Sequence, residues 1–126
     1  MIINTKNELS FCIMADRMMN TGKFKFSTKS RILSFLNPTN SILRYLKIMR
    51  KCQYLDSKHN RGGLIGKYYR LLYVNIGRRL GFSIGYHVFG YGLMINHYGT
   101  IVVGDNNRIG NFCLIDTSVS HSFYVM

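Results

Sequence analysis

Four histidines, three cysteines and five carboxylates are the groups in this chain that could move protons, form covalent intermediates or hold a metal. Cys12, Cys52 and Cys113 are odd in number and widely spaced, with no CxxC pair and no Cys/His ligand cluster. That spacing predicts neither a disulfide framework nor a zinc site, and reads as three reduced, buried thiols. His59 lies in a basic loop, His87 in an apolar run and His121 near the C-terminus. His97 has a different setting. The string Gly90-Tyr91-Gly92-Leu93-Met94-Ile95-Asn96 precedes it, and Gly99-Thr100-Ile101-Val102-Val103-Gly104 follows. A histidine between a Gly-rich approach and a Val-rich strand sits at a corner, and imidazole exchanges protons near neutral pH. A lone histidine is more often an ordinary hydrogen-bonded surface group; the surrounding string singles this one out. Asp105 and Asp116 are the acids nearest to it in the C-terminal part.

Two kinds of element must position these groups, and the chain changes character near Gly81. Before it, helical periods and punctuation predict a helix from Asn7-Glu8 to Asn20, with Leu9, Ile13 and Arg17 on one stripe and Thr21-Gly22 ending it. The short basic segment Lys23 to Leu36 is expected to contain a second helix. Pro38 opens a third, from about Thr39 to Ser57, in which Ile42, Leu46, Met49 and Gln53 recur at spacings of three and four. Residues 58–63 form a loop. Leu64 to Leu80 reads as a further helix with Leu64, Tyr68, Leu71, Leu72 and Ile76 on one face, closed by Gly81 in the left-handed conformation.

After Gly81 a six-residue repeat replaces the helical period. Phe89, Ile95 and Ile101 form one set; Val103, Ile109 and Ile115 form another, two residues out of phase with the first. Gly, Asn or Asp follows most of them, and these residues tolerate tight turns. The pattern fits a β-solenoid, in which each hexad makes one strand and one corner and three make a coil, or a plain β-hairpin region.

Residues 81–105 (GFSIGYHVFGYGLMINHYGTIVVGD) resemble the start of the catalytic solenoid in serine acetyltransferases, members of the hexapeptide-repeat acyltransferases. The resemblance is strong over residues 81–116 and weaker back to residue 10. It implies an α+β chain, with an all-helical N-terminal region (1–80) followed by the first coils of a left-handed parallel β-helix (81–126). It further implies homotrimers with active sites between subunits, and acetyl transfer from acetyl-CoA, a co-substrate, to the hydroxyl of serine for cysteine synthesis. No tightly bound cofactor and no metal are expected. His97 matches the family's catalytic base. Asn96 stands where the family has an Asp that binds the amino-acid substrate, and Phe82-Ser83 stand where it has an Asp that orients the histidine. These departures leave a polysaccharide or another small hydroxyl compound as the alternative acceptor. The hexads run to about Val119, and Ser120 to Met126 break the period; His121 falls where an aliphatic residue would be due. The chain therefore reads as a truncated copy of a longer gene.

Charge and composition bound the rest. Apolar residues make up 47% of the 126, so disorder is excluded by composition. The formal charge is +12, and 16 of the 17 Lys and Arg residues precede position 81. They are dispersed without a long run, which reads as the solvated faces of helices rather than a nucleic-acid or membrane surface. A non-catalytic basic module binding an acidic partner is the competing reading. No 18-residue apolar stretch and no secretory signal occur, so a cytoplasmic protein without a membrane span is expected.

Overall fold

The computed structural model describes residues 2–22, 38–58 and 63–116, with the side chains of 38–40 set aside. Among the described residues three helices precede short parallel strands in a mixed α+β structure. Expectations for Lys23 to Leu36, for His59 and for the tail with His121 lie outside the described residues.

Helix α1 (Lys6–Thr21) starts at Thr5, whose hydroxyl accepts the Glu8 N–H at 3.1 Å, while Glu8 Oε2 accepts the Asn4 N–H at 3.0 Å. These bonds satisfy donors that a helix start leaves open. Gly22, at φ 71°, ends it as expected. The stripe is rotated from the one read in the sequence: Cys12 and Asp16 are buried, and Leu9, Ile13 and Arg17 only half-buried. Helix α2 (Pro38–Ser57) buries Ile42, Leu46, Met49 and Gln53 as their spacing predicts. Arg50, beside that stripe, is fully buried too.

Helix α3 (Leu64–Leu80) has the expected bounds, and its buried face is only partly the expected one: Ile76 is buried and Leu72 packs half-buried against the core. Leu64, Tyr68 and Leu71 are exposed, whereas Gly66, Tyr73, Ile76, Gly77 and Leu80 are buried. Apolar side chains extend beyond one stripe of this helix, as the exposed Leu64, Ile65, Leu71 and Val74 show, so the apolar pattern does not by itself fix which side packs. Close approach does: a Cβ on Gly77 would meet the Phe82 carbonyl oxygen at 2.8 Å and the Tyr45 ring at 3.2 Å.

Strands β1 (Phe82–Ile84), β2 (Met94–Ile95), β3 (Ile101–Val103) and β4 (Leu114–Ile115) wind into two stacked coils. β1 pairs in parallel with β3, β2 with β4, and Phe89 bridges Ile109, also in parallel. These three ladders are the sides of a parallel solenoid rather than hairpins. Partners lie 19 residues apart on the first side and 20 on the other two. Three regular hexads make 18, and the two-residue slip between Ile101 and Val103 supplies the two extra residues of the sides spaced by 20. Phe89, Leu93, Ile95 and Ile101 fill its interior and join the helices in one core with Tyr45, Leu46 and Tyr73.

The helices cap the first coil with polar side chains. Tyr73 Oη donates to the Ile84 carbonyl at 2.8 Å, and Gln53 Nε2 donates to that of Tyr86. Arg50 donates to the carbonyls of Phe89 (3.0 Å) and Gly90 (2.6 Å). The Leu93 N–H donates to Asp16 Oδ1 at 2.9 Å, and Asn20 bonds both the Leu93 carbonyl and the Ile95 N–H. The backbone groups that a missing preceding coil would leave open are thereby paired. Among the described residues each sheet has two strands, and a cavity of about 400 Å³ lined by Phe89, Ile101, Val103, Ile109 and Ile115 lies against the second coil.

Candidate functional site

His97 and Asn96 sit together on an exposed corner just after β2. The corner is held by the second coil, since the Asn96 N–H donates to the Ile115 carbonyl at 3.2 Å. His97 Nδ1 lies 2.5 Å from the Tyr98 carbonyl oxygen, and its ring tilts over that of Tyr98 at 4.1 Å and 31°. A carbonyl oxygen can only accept, so Nδ1 carries the proton and the lone pair of the neutral ring falls on Nε2. A main-chain carbonyl thus sets the tautomer of His97, a task that carboxylates perform in many sites.

The acids that the sequence left unplaced separate. Asp105 lies against Gly85 at the end of β1, where its Oδ1 occupies the space a Cβ would need. Asp116 follows β4 and stands one coil beyond Asn96.

Sequence reasoning passed over a second histidine. His87 Nε2 is 2.9 Å from Asp56 Oδ2, and the same oxygen accepts the Tyr86 hydroxyl at 2.7 Å. Arg70 lies 3.5 Å from Asp56 Oδ1. Burial pushes the Asp56 carboxyl up, but the bonds from Tyr86 and His87 and the charges of His87 and Arg70 outweigh it, leaving the group below its ordinary value. Burial and the bond to Asp56 push the Tyr86 phenol up to about 12. The cluster ties α2 to the first coil. Its members come from residues 56, 70, 86 and 87, a separation that no local motif signals.

The chain matches no protein-family model, no curated protein and no solved structure. What the site can do therefore rests on its own chemistry.

The three cysteines are free and buried. Burial raises the Cys12 thiol to about 11 and the Cys52 thiol to about 12, and raises that of Cys113 as well. Such thiols are poor nucleophiles. Among the described residues no group of three or more His, Cys, Asp or Glu could hold a metal ion, and no helix is long and apolar enough to cross a membrane.

Proposed function

We propose that this chain is an acetyl-CoA-dependent O-acetyltransferase of the hexapeptide-repeat type, resembling serine O-acetyltransferase, with His97 as general base and Asn96 beside the acceptor. The observation that carries the reading is a parallel solenoid corner that exposes His97 with its proton held on Nδ1 by the Tyr98 carbonyl. The left-handed sense of the coils, the homotrimer and a cytoplasmic setting belong to the same reading.

In the reaction, the acceptor hydroxyl attacks the thioester carbonyl carbon. Its proton passes to His97 Nε2 as the new C–O bond forms, and the C–S bond then breaks. The imidazolium returns the proton to the departing thiolate, giving coenzyme A and the acetyl ester. No covalent enzyme intermediate is needed. A polysaccharide or other small hydroxyl acceptor is the second reading, favoured by the neutral side chain of Asn96, which grips an ammonium less firmly than a carboxylate would.

Thiol release from acetyl-CoA, measured with L-serine and then with sugars, tests both. His97→Ala should lower the rate by about 100-fold or more and leave thermal stability unchanged, because the ring is exposed. Substantial transfer surviving that change removes His97 from the mechanism. Salt-sensitive binding to an acidic partner without any transfer favours the binding-module reading instead.

A further inference from the structure

Leu64, Tyr68 and Leu71 have the spacing of a buried stripe, yet they face solvent. With Ile65 and Val74 they form an apolar ridge on the outward side of α3, each residue between 49 and 86% exposed. Steps of three and four carry the ridge about 15 Å along the helix axis. Single exposed apolar side chains are ordinary; five on one side of one helix mark a contact surface. The Tyr68 ring is braced edge-on by Tyr69, with centroids 5.4 Å apart at 78°. A tyrosine held outward in this way suits the level of lipid headgroups, where an apolar ring and a polar tip are both accommodated.

The same side carries cations. Lys67 lies one turn from both Leu64 and Leu71, and Arg78 and Arg79 occupy the last turn; all three are exposed. Among the described residues none of the three is in a salt bridge, since Asp16 pairs with Arg50, and Asp56 with Arg70 and His87. Asp105 lines a cavity with Val74 at one end of the ridge, a single negative charge against three positive ones. The whole chain has a formal charge of +12.

We infer that the outward face of α3 docks this chain on the surface of an anionic lipid bilayer. Charge alone would serve nucleic acid, whose backbone has no use for an apolar ridge. A second copy would lay cations against cations across a two-fold contact. An anionic bilayer satisfies both features. The aliphatic side chains enter the headgroup boundary, while the Lys and Arg stems lie along it and their heads meet phosphates. The helix lies on the membrane and does not cross it. In the sequence the dispersed cations read as solvated because the apolar residues beside them read as core. The inference does not depend on the role of His97.

The test mixes the full chain with vesicles of phosphatidylcholine, alone or with about one-third phosphatidylserine, and follows co-sedimentation. The mixed vesicles should bind the chain and the neutral ones should not, and about 1 M salt should release most of it. Arg78→Gln with Arg79→Gln should weaken binding about 30-fold. Leu64→Ser with Leu71→Ser should weaken it about tenfold. All four side chains are exposed, so thermal stability should stay the same in both variants. The chain has no tryptophan, so Tyr68→Trp sets a single reporter on the ridge. Its emission should shift to the blue with the mixed vesicles only. Absence of binding to the mixed vesicles overturns the inference. Binding that survives the leucine changes and leaves the reporter unmoved is adsorption by charge alone and overturns it too. Self-association abolished by the leucine changes, or binding to polyglutamate, in either case without vesicle binding, gives the face to a second copy or to an acidic protein instead.

Discussion

Asp56 gathers a phenol, an imidazole and a guanidinium around one carboxylate. Its folded carboxyl titrates below the ordinary value despite burial. The contribution to stability is therefore fully present above the unfolded value, near pH 4, and is lost as pH falls through the lowered folded value. Thermal melts from pH 7 to pH 3 should show this loss, and Asp56→Asn should be less stable at pH 7 with a flatter acid limb. A variant whose acid limb matches that of the unaltered protein would contradict the linkage. His97 stood out in the sequence because its neighbours form a continuous string. The Asp56–His87 pair spans 31 positions and two kinds of element, so nothing local announces it.

Among the elements, α2 was legible because one apolar period runs through it without competition. In α1 the buried stripe contains Asp16, and a hydrophobic pattern discounts a carboxylate at the centre of a face. In α3 apolar residues spread beyond one stripe, and the close approach at Gly77 marks the side that packs. The solenoid repeat was visible as two sets of aliphatics, yet their phase slip became a coil length only once the rungs were paired. Gly81 shows where backbone rather than side chain decides. It takes φ 87° at the end of α3, and a Cβ there would lie 2.6 Å from the Gly99 carbonyl oxygen. Gly81→Ala should lower stability by at least about 1 kcal/mol, read from urea denaturation. A change within a few tenths would mean the turn re-forms at little cost.

For the whole molecule, the decisive contact is the buried Arg50–Asp16 pair, with Arg50 Nε 2.7 Å from Asp16 Oδ2 and Nη2 3.0 Å from Oδ1. Both residues also bond the backbone of the first coil, so the pair belongs equally to α1, α2 and the solenoid. Removing one partner leaves a buried charge uncompensated. Arg50→Ala should cost about 3–5 kcal/mol. Helix and strand signals should still be lost together, because the core is continuous. Separate transitions, read by far-ultraviolet circular dichroism and tyrosine fluorescence, would show instead that the two regions unfold independently.

The polar cap also has a direction in time. Residues 1–80 leave the ribosome before any strand does, so Asp16, Asn20, Arg50, Gln53 and Tyr73 are all synthesised ahead of the backbone they bind. The first coil can be wound onto a finished template as it emerges, and the second onto the first. A parallel coil is slow to nucleate because its partners are distant in sequence, and here the side chains that bond its first turn precede it in the chain.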